Sequence, residues 1–341
     1  MSDILFEKRG AMGLITLNRP KALNALTHAM CVDMKAQLGE WANDAAVKFV
    51  VIRGEGERAF CAGGDIRALY ESGKAKTPYA LDFYRDEYRL DAAVKNYTKP
   101  YISLLHGIVM GGGVGVSVNG INRVADESLV FAMPETGIGL FPDVGGSYFL
   151  PRMPGEIGMY LALTGARMNV MDAFYTGIVT HFVPAARTGD LLDRIASGMS
   201  FPWAVGELVE TATAAPIAAH RAAIDKCFSA NSVEEILSRL DADGSEWASE
   251  TTKSLHTKSP TSLKVTYRQI REGKKQKFDE CMKMEFRMVN RIIAGHDFYE
   301  GVRAAIVEKD NSPKWQPADL AGVSDSDVDA YFAPLDKELE L

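Results

Sequence analysis

Two acids, Glu135 and Asp143, share the stretch FAMPETGIGLFPDVGG (Phe131 to Gly146), which also holds four glycines and two prolines. Each acid follows a proline, and Phe131, Met133, Leu140 and Phe141 would exclude water from a carboxylate set among them. Neighbouring carboxylates in such surroundings resist ionising together, so the pKa of one rises and an acid–base pair results. Acids in Gly/Pro-rich loops also commonly cap turns and face water. The segment alone does not choose between these readings.

Two further loops offer backbone donors. In AFCAGGDIRALY, Gly63 and Gly64 follow a predicted strand, and Asp65 stands at the N-cap of a predicted helix. In HGIVMGGGVGVS, Gly111, Gly112 and Gly113 remove all side chains where a strand turns into a helix. Exposed amide donors at a positive helix end suit an oxygen. Either glycine cluster alone reads as tight packing, but two such loops are the minimum for a two-amide oxyanion hole.

Other uses of these residues fail on spacing. Gly111-Gly112-Gly113-Val114-Gly115 does not fit G-x-G-x-x-G, and no G-x-x-x-x-G-K-[ST] occurs. Gly115-Val116-Ser117-Val118-Asn119 misses the G-x-S-x-G elbow at its last position, which leaves Ser117 a structural role. The six histidines form no i,i+4 pair and no H-E-x-x-H, so no metal site is expected, and His106 reads as a satisfied core residue. The basic run GKKQK reads as a solvated helix end.

These loops need elements to position them. Ile4–Phe6 and Leu14–Leu17 read as strands around GAMG, and Leu26, Met30, Met34, Leu38 and Trp41 then fall at helical spacing. KFVVIRG, Tyr101–Leu105 and SLVFA read as short buried strands, each followed by a loop with glycine or proline. The alternation points to an α/β sheet whose loops carry function. From about Gly155 the pattern turns mostly helical, as in GEIGMYLALTG, Val233–Leu240 and Phe278–Ile293. No repeat, low-complexity tract or Gly/Ser linker interrupts it.

At 341 residues, 47% hydrophobic and 24% charged, the chain has the composition of a soluble globular protein with one large domain or two modest ones. A net charge of -7 with interspersed signs would repel nucleic acid and anionic membranes, so neither is an expected partner. Four scattered cysteines without a C-x-x-C pair suggest reduced thiols, and MSDILFEKRG reads as neither a secretory signal nor a transit peptide, so a cytoplasmic location is expected. The apolar run Tyr101–Val118 is long enough to span a membrane, but it carries His106 and five glycines, each costing a helix interior about 1 kcal/mol. A buried strand followed by a glycine turn is the better reading.

NRPKALNAL, FCAGGDI, the GGG turn, FAMPETGIGLFPDVGGSYFLPR and NSPKW together resemble the crotonase superfamily of enoyl-CoA hydratases and isomerases, nearly end to end. Within it, GLFPDVGG, the chain length and FYRDEYRLD resemble the 3-hydroxyisobutyryl-CoA hydrolase branch, whose reaction belongs to valine degradation. The resemblance implies an α/β fold, a crotonase-like spiral of ββα units with a helical C-terminal region. Residues 1–205 would form the spiral core with the CoA thioester site, and residues 206–341 a mostly helical region packed on it.

The resemblance also implies roles. Gly64 and Gly112 would supply the oxyanion-hole amides, and the loop from Lys21, Ala22 and Leu23 to Leu26, with Ala62, Asp65 and Ile66, would hold the adenine end of CoA. Hydratases of the family use two glutamates; Gly115 stands where the first would be, and Glu135 aligns with the second. The Glu135–Asp143 pair instead matches the hydrolase branch, and Glu87 in RDEYRL matches its residue for the distal hydroxyl of the substrate. Without that match, Glu87 would read as an ordinary exposed helix acid. The implied activity is acyl-CoA thioester hydrolysis, with no metal and no cofactor beyond the CoA of the substrate. The alternatives are an enoyl-CoA hydratase/isomerase and, from another class, a non-catalytic acyl-CoA-binding protein. Whether the chain forms a homo-oligomer stays open: relatives often form trimers, while a longer helical tail folded back would occupy the surface a neighbour supplies.

Overall fold

β1 (Ile4–Arg9) and β2 (Met12–Leu17) form the hairpin that the apolar spacing predicts, antiparallel with Ile4 opposite Leu17. The computed structural model describes residues 2–211 and 213–341. Beyond the hairpin come β3 (Phe49–Gly54), β4 (Ala59–Cys61), β5 (Tyr101–Leu105), β6 (Ile108–Met110), β7 (Asn122–Ala125), β8 (Val130–Ala132) and β9 (His181–Phe182). They build one sheet ordered β1-β2-β3-β5-β7-β9 and a second ordered β4-β6-β8. β3, β5 and β7 thus each go to the large sheet, and the short strand after each, β4, β6 and β8, goes to the small one. This is the α/β spiral of ββα units that the motifs imply.

From β2 to β9 the large sheet is parallel. Parallel strands are buried on both faces, and β2 and β5 are buried at every position. On one face Met12, Leu14, Val51, Ile102, Leu104 and Val124 pack against Leu191, Leu192 and Ile195 of the helix Thr188–Ala196 and Phe201 of the helix Phe201–Gly206. The helix His28–Asn43 buries Met30, Met34, Leu38 and Trp41, the spacing read from sequence, and the Trp41 ring meets Phe6 edge-on at 6.1 Å. Its start is set by Thr27, whose hydroxyl accepts the Met30 N–H.

After β9 the described residues form helices and turns only. Serines begin four of these helices: the hydroxyls of Ser232, Ser245, Ser259 and Ser324 each accept the N–H of the third residue on. The Tyr101–Val118 run is β5, β6 and the short helix Gly112–Val118, and no helix among the described residues is long and apolar enough to cross a membrane. Lys274, Lys275 and Lys277 of the basic run are exposed at a junction between helices.

The chain groups into two compact units. The first is Met1–Gly64 with Asp86–Phe131 and Met168–Ala218, and the second is Asp65–Arg85 with Ala132–Arg167 and Ala219–Leu341. This grouping differs from a single division at 205/206, because the excursions 65–85 and 132–167 belong with the C-terminal helices. No local composition change marks such excursions.

Candidate active site

In the first unit, Asn24 builds the donor site although no motif argument singled it out. Its fully buried side chain accepts the Arg19 N–H at 2.9 Å and donates to Glu55 O at 3.0 Å and Ala59 O at 2.8 Å. Leu23 and Asn24 both adopt left-handed backbone conformations, with φ of 51° and 56°. That turn lets Ala62 N–H donate to Leu23 O and Leu26 N–H donate to Gly63 O, laying residues 23–26 beside Ala62–Gly64. Lys21 and Ala22 lie exposed in the preceding 3-10 turn, Pro20–Ala22.

Gly112, the first residue of the helix Gly112–Val118, arrives at the same place from β6. A Cβ added to it would collide with Glu87 Oε1, stand 3.1 Å from Leu26 Cδ1 and come within 3.3 Å of the Gly64 nitrogen. The two donor loops and Glu87 therefore meet at one point of this unit. Among the described residues neither the Gly64 nor the Gly112 N–H donates a hydrogen bond.

Glu87 sits on the helix Tyr79–Lys95 and is only 2% exposed, so it is no ordinary surface acid. Its field reaches two buried thiols: burial, then Glu87, pushes Cys31 up, and burial pushes Cys61 up to about 12. All four cysteines are free and buried. Ser117 donates to Gly113 O at 2.6 Å, a structural back-bond within its helix. His106 is half-buried and donates from Nε2 to Gly56 O at 2.8 Å. Among the described residues, no His, Cys, Asp and Glu cluster suited to a metal ion occurs.

In the second unit, Asp65 is the expected N-cap, its carboxylate accepting the Ala68 N–H at 3.3 Å ahead of the helix Ile66–Lys74. Glu135 begins the 3-10 turn Glu135–Ile138, which closes when the Gly139 N–H donates to Glu135 O at a φ of 72°. Asp143 lies in the turn that follows. Both acids are buried, at 5% and 3% exposure, which removes the reading in which they face water. Burial, and after it the nearby Asp143, holds the Glu135 carboxyl well above its usual range. Glu135 Oε2 has no hydrogen-bond partner among the described residues.

Two side chains that hold the backbone on either side of Asp143 escaped the motif reading. Glu285, on the helix Phe278–Ile292, accepts the N–H groups of Gly145 and Ser147, both at 2.9 Å. Gln269, on the helix Pro260–Gly273, donates from Nε2 to Pro142 O at 2.6 Å and to Ser147 Oγ at 2.8 Å. A signal for Glu285 does exist: it stands in the apolar stripe of Phe278, Cys281, Met282, Met288, Val289 and Ile292, where an acid must find partners.

A family model described as enoyl-CoA hydratase/isomerase matches residues 12–332. The chain is 49% identical over 349 residues to a protein named 3-hydroxyisobutyryl-CoA hydrolase, mitochondrial, from Danio rerio, covering 98% of this chain and 91% of that one. It is 47% identical over 344 residues to the protein of the same name from Homo sapiens, with 98% and 89% covered. Among solved structures it resembles a carnitinyl-CoA dehydratase from Mycobacterium thermoresistibile, with a TM-score of 0.96 and 42% identity over 100% of this chain and 99% of that one. It also resembles an enoyl-CoA hydratase from Rhodobacter sphaeroides 2.4.1, with a TM-score of 0.92 and 40% identity over 100% of both chains.

Proposed function

The chain belongs to the enoyl-CoA hydratase/isomerase family, the crotonase superfamily, and from that membership we propose that it hydrolyses 3-hydroxyisobutyryl-CoA to the hydroxy acid and CoA. One observation carries this reading over a hydratase. Glu135 and Asp143 are both present and buried, while Gly115 occupies the helix position where the resemblance puts the other glutamate of a hydratase. Half of the apparatus that adds water across a double bond is thereby missing. The 49% and 47% identities to proteins named hydrolases support the same choice.

In this reading the Gly64 and Gly112 N–H groups donate to the thioester carbonyl oxygen and hold the tetrahedral oxyanion, each donor worth roughly 2.7–4 kcal/mol of barrier. Glu135, as a carboxylate, either takes a proton from an attacking water or adds to the carbonyl carbon itself, giving a mixed anhydride that water opens. In either route the first tetrahedral intermediate collapses with cleavage of the C–S bond, whose electron pair leaves on sulfur, and a protonated Asp143 turns the thiolate into the thiol; on the anhydride route this precedes the opening by water. Lys21, Ala22, Leu23, Ala62, Asp65 and Ile66 take the adenine end of CoA. The substrate brings the CoA, the reaction calls for no other cofactor, and the expected location remains the cytoplasm. Single-turnover hydrolysis in oxygen-18 water identifies the anhydride route when label appears in the Glu135 carboxylate, which requires water to have opened an anhydride at the glutamyl carbon.

The test is a screen of purified protein against acyl-CoA esters. Thiol release from 3-hydroxyisobutyryl-CoA, with no loss of conjugated-bond absorbance from a 2-enoyl-CoA, is the expected result. The reverse pattern would establish a hydratase, and ester binding without turnover a binding protein. The 3-hydroxypropionyl ester should also react, since one methyl group in a pocket is worth only about 1–3 kcal/mol.

Glu87 is assigned to the hydroxyl of the acyl chain. A hydrogen bond to a charged group contributes roughly 1.5–3 kcal/mol, so Glu87→Gln should lower kcat/KM for the hydroxyacyl ester by about 10- to 150-fold. The isobutyryl ester, which lacks the hydroxyl, should lose far less. An equal loss on both esters would take Glu87 out of hydroxyl recognition.

A further inference from the structure

The turn that carries Asp143 is not one the local sequence favours. Val144, a β-branched residue, has a φ of 50°, and Gly145 follows with a φ of 93°. A β-branched residue in the left-handed region is strained and persists only where the surroundings over-determine it. Within the turn, Gly146 N–H donates to Asp143 O at 2.7 Å. The Gly145 carbonyl accepts the Tyr148 and Phe149 N–H groups at 2.8 and 3.0 Å, which fastens the turn to the helix after it.

The C-terminal helices add a restraint of their own. Glu285 is fully buried, and each of its carboxylate oxygens takes one N–H of the turn, Oε2 from Gly145 and Oε1 from Ser147. The two bonds brace the backbone immediately after Asp143, and Gln269 ties down Pro142 O immediately before it. An acid is an expensive way to fill an apolar stripe. An ionised carboxylate offers two acceptor oxygens side by side and no donor, so each turn N–H has an oxygen to itself.

We propose that Glu285 is a positioning residue for Asp143: by clamping the Gly145 and Ser147 amides it sets the direction in which the Asp143 carboxyl points. The inference rests on the part given to Asp143 in thioester hydrolysis. Asp143 and Glu285 also feel each other electrostatically. Burial first, and Asp143 among the charges, raises the Glu285 carboxyl to about 8 against the lowering effect of its two amides. The other titratable groups in this field are Cys281, whose thiol burial and Glu285 push up to about 12 while Arg152 pulls it down, and Glu135 through Asp143.

Glu285→Gln tests the clamp, because the amide must present an N–H to one of the two turn donors and loses that bond. A misplacement of about 1 Å at a reacting group costs on the order of 100-fold, so kcat for 3-hydroxyisobutyryl-CoA should fall by about 10- to 100-fold with KM within about 3-fold. The wild-type kcat profile should carry an inflection near pH 8 that the variant lacks. Glu285→Asp, which keeps the charge but shortens the reach, should retain the inflection and lie between the two in rate. Unchanged kcat in Glu285→Gln overturns the proposal. So does a loss of kcat with the wild-type pH profile, because the inflection would then belong to a group other than Glu285. Should wild type prove inactive on every hydroxyacyl ester, the functional reading fails by itself, and the clamp is judged on a crystal structure of Glu285→Gln. A displaced Asp143 on an otherwise unmoved helix Phe278–Ile292 supports it, and an unmoved Asp143 overturns it.

Discussion

Glu135→Gln is expected to lower kcat for thiol release from 3-hydroxyisobutyryl-CoA by about 1,000-fold or more, with a much smaller change in KM. A positioned general base contributes roughly 100- to 10,000-fold, and loss of a nucleophile at least as much. The amide of glutamine fills the same space and can neither take the proton of water nor attack a thioester. Folding should not suffer. Glu135 is buried with one oxygen unpartnered, so replacing a carboxyl that burial disfavours as an anion removes a cost rather than a support. The variant should therefore unfold at or above the wild-type temperature.

The same residue fixes the sign of the pH dependence. Burial and Asp143 raise the Glu135 carboxyl, and the base works only when deprotonated. kcat/KM should then fall as pH drops, with an acid limb above the ordinary glutamate range rather than within it. Stability follows the same shift: a carboxyl whose folded pKa lies above its unfolded value favours the fold below the unfolded pKa and loses that contribution as pH rises through the folded one. An acid limb at the ordinary value near 4.3 would mean that another group is the base.

Gly112→Ala is the second large effect, and it acts on the donors. The added Cβ would collide with Glu87 Oε1 and stand 3.3 Å from the Gly64 nitrogen, so it intrudes on both amides and on the acid beside them. Removal of one oxyanion donor costs roughly 100- to 1,000-fold in kcat, and this substitution disturbs two. Gly39→Ala is the matched control. Nothing lies within 4 Å of a Cβ there, in the interior of the helix His28–Asn43, so activity should be unchanged and stability slightly raised. Gly112→Ala protein that melts like wild type yet retains full turnover would remove this amide pair from the chemistry.

Much of the site was legible because its signals are local. Pro134 and Pro142 mark turns, apolar Phe131, Met133, Leu140 and Phe141 make burial of the two acids one of the two readings, and Asp65 announces its helix by type and position. Hydrophobic spacing likewise anticipated the β1–β2 hairpin and the helix that buries Met30, Met34, Leu38 and Trp41. These are consequences of period and of backbone preference, which a chain carries in any ten-residue window.

Glu285 and Gln269 lie beyond that reach. They meet the Asp143 turn across separations of 140 and 127 positions, and what they supply is a pair of acceptors and a donor for backbone groups that no window of sequence shows to be in need. Asn24 is the nearer case: its type suggests a turn, but its bonds to Glu55 and Ala59 exist only once β4 has come alongside. The sequence by itself determined the elements and the two donor loops, while the burial of the acid pair was one of two readings until the fold closed over it. Tertiary structure alone decided which distant side chains restrain the Val144–Gly145 turn, and that Glu87, an unremarkable helix acid by sequence, lies buried against Gly112. The reason is physical: burial and period are properties of neighbours along the chain, whereas the satisfaction of a buried polar group depends on what the fold brings to it.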